Sequence, residues 1–418
     1  MLLVFSALTV LTGFLNVTYT YPDTLSNCTI VLEPGNFPNI KNAPSNSTVC
    51  LIPGEYRVEA LDIANKTLTI QGLGSNPGDV RIILTSGSFK LAPGENETII
   101  LRNLSVETKT TTKEDPAIQV YWSGKKGAKY DIGTIILDNI LVNATRAIAT
   151  SVQVGPNITL RSFELKNSVI LAGKIGVQVG PDSSVTGVIV IDNNTIRANE
   201  IGIQVGPGAY VAAYLRISRN NITAGEIGIQ VGPSTQDEKP PPRIGILEVI
   251  RNTIVSNTSK VIEIRSYITY NASIYLNKFL GDGSNVTIRI DTALVNTSVV
   301  FFNTPDEIQY CCNGNFTSRL GNYYVDWTQP DEKPPYCIVD DPRFITSGLV
   351  DAFALTTDPS SLYLEYQCIL EELIGAGSVG IVMGGGILVD YSAVSYSLIV
   401  VGLTLLAIGE LARRTRLR

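Results

Sequence analysis

The sequence predicts an all-β chain that winds into a parallel β-helix, and three observations support this fold class. A Val-Gly-Pro turn recurs at 154–156, 179–181, 205–207 and 231–233, in steps of 25, 26 and 26 residues. A short strand of alternating polarity precedes each turn, and no helical period of 3.6 residues lies between the strands. A coil of this length cannot bury its apolar face alone, so successive coils are expected to stack. A β-propeller is the alternative, but its blades need about 40 residues.

The first strand class places one polar residue between two aliphatic ones, as in Val152-Gln-Val154. This alternation turns the aliphatic side chains inward and the polar one outward. The polar position recurs as Gln119, Gln153, Gln178, Gln204, Gln230, Glu263 and Arg289. The pattern predicts an outward ladder of stacked amides, which either satisfies only itself or offers a flat face for self-association or ligand contact.

The second strand class ends close to an asparagine in each coil. These asparagines are Asn103, Asn139, Asn167, Asn194, Asn220, Asn252 and Asn277. Asparagine tolerates the left-handed backbone of a tight turn, and its amide can hydrogen-bond along the stack. We therefore expect the asparagines to mark one corner of every coil.

The two ends of the chain predict export and a membrane anchor. Residues 1–15 are uncharged and too short to span a bilayer, which is typical of a signal peptide; a buried first strand is the alternative. Near the other end, 391–409 are uncharged and would form a helix about 28 Å long. Arginines follow at 413, 414, 416 and 418, which places the C-terminus in the cytoplasm. A buried core helix is the alternative to this transmembrane helix.

The segment before the anchor is rich in glycine, and Gly380 and Gly384 form a step that lets two helices approach closely. It is interpreted as a membrane-proximal segment or oligomer contact, with a second span as the alternative. The predicted organisation is a signal peptide over 1–20, an N-terminal cap over 21–60, β-helix coils over 61–300, a Cys-containing C-terminal cap over 301–370, the Gly-rich segment over 371–390, the transmembrane helix over 391–410 and a basic cytoplasmic tail over 411–418.

Asparagine glycosylation sequons are in excess. Fifteen of 29 asparagines begin Asn-X-Ser/Thr, whereas the 67 Ser and Thr would give about five by chance. Beyond Asn16 in the signal segment, the predicted glycosylation sites are Asn27, Asn46, Asn65, Asn96, Asn103, Asn143, Asn157, Asn193, Asn221, Asn257, Asn271, Asn285, Asn296 and Asn315. The excess indicates an exported glycoprotein; frequent Asn and Thr in turns is the alternative explanation.

The six cysteines are predicted to form disulfides, because an even number in an exported chain is typical of oxidised pairs. They are Cys28, Cys50, Cys311, Cys312, Cys337 and Cys368, and none lies between 51 and 310. A pair from Cys28 to Cys50 would close the N-terminal cap, and the other four would tie the C-terminal cap. A thiolate metal site is the alternative, although the paired C-x₂-C spacing is missing.

Composition excludes several functions. The net charge of −6 argues against binding of nucleic acid. The absence of histidine removes Ser-His-Asp triads, His general bases and every His-ligated metal or haem. We therefore expect no cofactor and no metal.

Several segments resemble a known family. Ser47–Tyr56, Asn65–Gly72 and Ile100–Val106 are similar to the opening coils of right-handed parallel β-helix proteins, which include the pectate-lyase-like superfamily and the periplasmic copper-binding β-helix family. Gly321–Trp327, followed by Pro334-Pro-Tyr336, resembles the ending of archaeal members. The resemblance implies a right-handed coil, but this fold carries many activities.

In the β-helix families that this sequence resembles, the enzymes that cleave polysaccharides use clustered carboxylates, often beside a His, Arg or Lys. Here the matching strand positions are mostly Gln, which cannot transfer protons. Asp138 and Asp192 precede turn asparagines, but Lys166 occupies the coil between them. We therefore predict that the chain is not an enzyme, with a polysaccharide lyase or hydrolase as the alternative.

Two insertions interrupt the period, near 121–130 and 234–243. The first combines aromatic rings and ammonium groups, which suit a sugar or an anionic polymer. Its candidate contact residues are Tyr121, Trp122, Lys125, Lys126, Lys129 and Tyr130. A solvated loop without a ligand is the alternative.

Together these patterns predict a single-pass surface glycoprotein with its N-terminal domain outside the cell. Its role would be structural or adhesive, as a spike, a surface layer or a filament component. The expected partners are the membrane, further copies through the β-helix face or the Gly-rich segment, and a glycan or surface polymer. Besides the polysaccharide enzyme, the alternative is a spike glycoprotein of an enveloped archaeal virus.

Overall fold

The structure is a computed structural model that describes residues 27–109, 115–121, 131–145, 150–233, 240–282, 285–312, 314–346 and 348–362. The first strands are β1 (Ile30–Leu32), β2 (Ser47–Leu51), β3 (Gly54–Val58), β4 (Leu61–Ala64), β5 (Leu68–Gly72), β6 (Val80–Leu84), β7 (Phe89–Ala92), β8 (Thr98–Thr108), β9 (Ile118–Val120), β10 (Asp131–Ala144) and β11 (Val152–Val154). The central strands are β12 (Thr159–Lys166), β13 (Val169–Ala172), β14 (Ile175–Val179), β15 (Ser184–Val185), β16 (Val188–Asp192), β17 (Thr195–Ala198), β18 (Ile201–Val205), β19 (Tyr210–Ser218), β20 (Asn221–Ala224), β21 (Ile227–Val231) and β22 (Arg243–Ile250).

The last strands are β23 (Thr253–Ser256), β24 (Lys260–Ile264), β25 (Tyr267–Tyr275), β26 (Lys278–Leu280), β27 (Thr287–Ile290), β28 (Val300–Phe301), β29 (Ile308–Cys311), β30 (Asn315–Ser318), β31 (Tyr323–Tyr324), β32 (Arg343–Thr346) and β33 (Leu349–Asp351). Short 3-10 helices cover Pro34–Asn42, Pro77–Asp79, Thr297–Val299 and Pro359–Ser361. Among the described residues, no helix is long and apolar enough to cross a membrane.

Each central coil contributes three strands, and every strand pairs in parallel with its counterpart in the next coil. In one such coil the first strand is β19, the second is β20 and the third is β21, and they pair with β22, β23 and β24. First and second strands belong to a 20-stranded sheet, and third strands form a nine-stranded sheet. The all-β prediction with parallel sheets is confirmed and is consistent with a β-helix; the right-handed sense stays a prediction.

The repeated sequence Ile-Gly-Ile-Gln-Val explains the third strand. In β18, Ile203 and Val205 are buried while Gln204 faces outward. Gly202 lies where the coil bends, because a Cβ there would stand 2.4 Å from Ile222 Cγ2 and 2.6 Å from the Gly228 oxygen. The same close approach recurs at Gly176 and Gly228. Glycine is therefore a steric requirement of the corner.

The interior is one continuous stack of apolar, mostly aliphatic side chains that runs from Leu32 to Ala354. A smaller cluster around Tyr310, Leu320 and Leu355 fills the C-terminal part. Within the described residues, antiparallel pairing joins β29 to β30 and β32 to β33, both in this C-terminal part. The signal peptide, the Gly-rich segment, the transmembrane helix and the basic tail of the prediction lie outside the described residues.

Candidate functional site

The outward position of the nine-stranded sheet forms a hydrogen-bonded glutamine ladder. Nε2 of Gln153 donates to Oε1 of Gln178 at 2.6 Å, and Nε2 of Gln178 donates to Gln204 at 2.5 Å. Gln204 continues to Gln230 at 2.7 Å, and Gln119 donates to Gln153 at 3.3 Å. The predicted ladder of stacked amides is confirmed, and every amide donates toward the C-terminal end.

Charged residues occupy both ends of the glutamine ladder. Glu263 accepts a hydrogen bond from Gln230 at 3.2 Å and forms an ion pair with Arg289 at 3.3 Å. At the other end, Lys90 is in register with Gln119 and with Asp62 of the preceding coil. The uncharged ladder therefore begins and ends in the body of the sheet.

The predicted contact loop begins beside this N-terminal end. The Tyr121 hydroxyl donates to Asp62, and Lys90 Nζ lies 5.5 Å from the centre of the Tyr121 ring. Burial, followed by this hydrogen bond, raises the pKa of Tyr121. The other predicted contacts lie outside the described residues: Trp122, Lys125, Lys126, Lys129 and Tyr130.

Both insertions leave the nine-stranded sheet at the same kind of corner. The first follows β9 and precedes β10, and the second follows β21 and precedes β22. In each case a third strand ends and a first strand begins. The two insertions therefore start from the same corner of their coils.

The asparagines of the second strand class divide into two groups, which differs from the expectation of one corner ladder. The first group has left-handed backbone: Asn103, Asn139, Asn167 and Asn193 have φ between 50° and 55°. In the later coils the left-handed residue is not asparagine but Arg219, Arg251 and Leu276. The two groups look alike in the sequence, because in each coil an asparagine lies either at the left-handed position or directly after it.

The second group forms a buried asparagine ladder one residue further along: Asn194, Asn220, Asn252, Asn277 and Asn322, each at most 3% exposed. The backbone N and Nδ2 of each rung donate to Oδ1 of the next; from Asn220 to Asn252 these distances are 2.9 and 3.0 Å. Nδ2 also donates to a main-chain carbonyl of the coil before, as from Asn252 to Ile217 at 2.9 Å. The ladder therefore satisfies both side chain and backbone inside the corner.

The asparagine ladder ends on a buried carboxylate that sequence reasoning missed. Asp351 Oδ2 accepts from the Asn322 backbone N at 3.0 Å, from Asn322 Nδ2 at 3.1 Å and from the Tyr324 hydroxyl at 3.0 Å. Complete burial raises the pKa of Asp351 to about 6, although these donors oppose the shift. The Gly321-Asn-Tyr-Tyr segment was the available signal, because it supplies the last rung and the tyrosine.

Charges on the first strands alternate in sign. Arg102 and Asp138 are in register and form an ion pair at 3.1 Å, followed in the next coils by Lys166 and Asp192. Like charges are thus two coils apart, which is about 10 Å. The expectation that Lys166 separates the two aspartates is confirmed, so these aspartates cannot share a proton or a cation.

No group of three or more His, Cys, Asp or Glu within the described residues could hold a metal.

All fourteen sequon asparagines from Asn27 onward lie in the described part of the chain, and none is buried. Eleven are exposed: Asn27, Asn46, Asn65, Asn96, Asn157, Asn193, Asn221, Asn257, Asn285, Asn296 and Asn315. Asn103, Asn143 and Asn271 are half-buried. None of the five asparagines of the buried ladder begins a sequon.

Disulfides lie at both ends of the coils. Cys28 bonds to Cys50, as predicted, and Cys312 bonds to Cys337. Cys311 is also disulfide-bonded, and Cys368 lies outside the described residues. Cys50 belongs to β2, so its bond ties the incoming chain to the first stacked strands that the structure describes and stabilises them.

An exposed group of rings, the aromatic patch, lies on the first strands near the C-terminal end. It comprises Tyr210, Tyr267, Tyr270 and Phe301, which are 45%, 44%, 65% and 45% exposed. Arg243 stands in register between Tyr210 and Tyr267, and its guanidinium lies 5.8 Å from the Tyr267 ring centre. The tyrosines are about 10 Å apart, two coil spacings. Sequence reasoning missed this patch because its members come from three different coils.

No protein-family model and no curated protein matches the sequence. Among solved structures, the PL6-family alginate lyase AlyGC is similar at 14% identity and a TM-score of 0.39, over 62% of this chain and 37% of the lyase. YbhC of Escherichia coli has 14% identity and a TM-score of 0.34, over 59% and 75%. ORF18 of Geobacillus virus E2 has 12% identity and a TM-score of 0.28, over 68% and 61%. The matched part thus spans about a third of the lyase, and none of these similarities carries an argument about activity.

Proposed function

We propose that this chain is a membrane-anchored, N-glycosylated surface protein with a structural or adhesive role, on an archaeal cell or on the envelope of a virus that infects one. The observation that carries the proposal is the separation of sequons from the interior. Sequon asparagines avoid buried positions, whereas five of the other asparagines are buried in the ladder. Selection for attached glycans produces this separation, because a glycan cannot enter a packed core.

Two further features support a structural role over an enzymatic one. The glutamine ladder occupies the outward position of the nine-stranded sheet, and amides do not transfer protons. The carboxylates on the first strands alternate with cations and are held in ion pairs, as between Asp138 and Arg102. Stacked coils with disulfides at both ends make a stiff body, which suits a spike or a surface layer. Adhesion would use the face of the coils or the edge from which both insertions leave.

The test is site-resolved glycopeptide mapping of the native protein, combined with proteolysis of intact cells or particles. We expect glycans at most exposed sequons and removal of the N-terminal domain by the protease. Occupancy should be lowest at Asn103, because its Nδ2 already donates to the carbonyl oxygens of Gly72 at 3.0 Å and Gly74 at 2.6 Å. The proposal would be rejected if every sequon asparagine were unmodified. It would also be rejected if the protease removed the domain only after the cells were lysed.

A further inference from the structure

The aromatic patch needs an explanation, because four large rings stand exposed on nearby coils of one sheet. Elsewhere on the first strands, outward positions include charged pairs, as at Arg102 and Asp138. An exposed apolar cluster of this kind usually marks a surface that another group covers. The rings belong to β19, β25 and β28, so the rigid coils hold them in a fixed arrangement.

A sequon asparagine stands within this patch. Asn271 follows Tyr270 in β25, is in register with Ile246 and lies four residues beyond Tyr267. Two residues further on, Ser273 is in register with Phe301. Asn271 Oδ1 is buried without a hydrogen-bond partner among the described residues, so this end of the amide faces the sheet. Asn271 as a whole is half-buried, and Nδ2 is the atom that would carry an N-glycan.

The chemistry of the patch suits a sugar chain that begins at this atom. A sugar ring has apolar faces of C–H groups that pack on aromatic rings, and its hydroxyls accept hydrogen bonds from a guanidinium. Arg243 lies between two tyrosines and is itself exposed. A glycan attached at Asn271 therefore meets rings and donors without leaving the sheet surface, and the tether removes most of the entropy cost of association.

We infer that the N-glycan on Asn271 folds back onto the aromatic patch and becomes a fixed part of the protein surface. This inference rests on the proposed glycosylation of the chain. It distinguishes Asn271 from sequons such as Asn257, an exposed residue that follows β23 at a corner of the coil. A glycan over the rings accounts for four exposed aromatic side chains on the outer face of the coils.

The experiment combines glycopeptide mapping with a double-mutant cycle on the full chain in detergent. Ser273→Ala removes the sequon but keeps Asn271, and Tyr267→Ala with Tyr270→Ala removes two rings. Each change alone should lower the midpoint of thermal unfolding by about 2–4 °C, and the combination should lower it no further. Ser259→Ala, which removes the sequon of Asn257, is the matched control and should change the midpoint by less than about 1 °C.

The outcomes separate the inference from the proposed function. Glycans at other sequons with an unmodified Asn271 would overturn the inference and leave the proposed function standing. An unmodified chain would overturn both. If Asn271 is modified but the midpoint shifts are additive, the glycan and the rings act independently and the inference is wrong. A partner that covers the rings would then be sought by comparing its binding to the parent protein and to the tyrosine variant.

Discussion

The buried asparagine ladder and the outward glutamine ladder follow the same coils, but they are bonded in different ways. Each asparagine rung bonds both the next side chain and the backbone, as Asn252 does with Asn277 and Ile217. A glutamine rung bonds only its neighbouring amides, as Gln204 does with Gln178 and Gln230. Water can replace the bonds of half-buried glutamines such as Gln178 and Gln204, but not those of the buried asparagines. The buried asparagine ladder therefore specifies the fold. The outward glutamine ladder contributes less to stability, so its residues can be substituted to suit a function at the surface.

The largest effect is expected from Asn252→Ala. The substitution leaves the Ile217 carbonyl and the Asn220 donors without partners and opens a cavity in the corner. The free energy of unfolding should fall by about 3–5 kcal/mol, measured by denaturant unfolding. A loss below about 1 kcal/mol would mean that the two ladders do not differ as argued.

The pH dependence of stability tests the end of the buried ladder. Burial raises the pKa of Asp351 to about 6 from an ordinary value of 3.8. The folded chain thus holds a proton that the unfolded chain has lost between these values, so this group's contribution to stability falls as pH rises from about 4 to about 6. The fall is about 3 kcal/mol, and it is complete above that window.

Asp351→Asn is the comparison for this measurement, because asparagine is nearly isosteric and does not titrate. The difference in unfolding free energy between parent and variant should change across pH 4–6 and stay constant above pH 7. Other carboxylates titrate in both proteins and cancel. A difference that is flat across the whole range would show that the buried carboxylate keeps an ordinary pKa.

The smallest effect is expected from Gln204→Ala, which removes one outward rung. Its bonds to Gln178 at 2.5 Å and to Gln230 at 2.7 Å are amide pairs on an outer face. Unfolding free energy should fall by about 0.5–1 kcal/mol. If the loss instead equals that of Asn252→Ala, the outward ladder is as structural as the buried one, and its face would be unsuited to a separate role.

Much of the fold was predictable because it is periodic. The recurring Val-Gly-Pro turn and the Gln position placed the third strands in register, and the structure pairs Gln178 with Gln204 and Gln204 with Gln230 as expected. Alternation of aliphatic and polar residues was enough to assign inward and outward faces. The pair from Cys28 to Cys50 also followed from its position before the first coils.

Features that depend on one residue rather than on the period were not predictable. The two asparagine groups differ by a single position, Asn193 on the outside and Asn194 inside, and the sequence places both after the same strand. Asp351 reaches the ladder through the fold of the C-terminal part, where no repeat applies. The aromatic patch joins residues 57 positions apart in the chain, Tyr210 and Tyr267, that become neighbours only when coils stack.

The uniform direction of the glutamine bonds has a consequence for how such a chain can change length. Each central rung presents the same acceptor to the coil before it and the same donor to the coil after it. A whole coil of 26 residues could therefore be copied or lost between Gln153 and Gln230 without an unmatched joint. Asp62 and Lys90, which are in register at one end, and the ion pair of Glu263 with Arg289 at the other remain as distinct end pieces. Insertion or deletion of whole coils between these fixed ends would lengthen or shorten the stack in steps of about 4.8 Å.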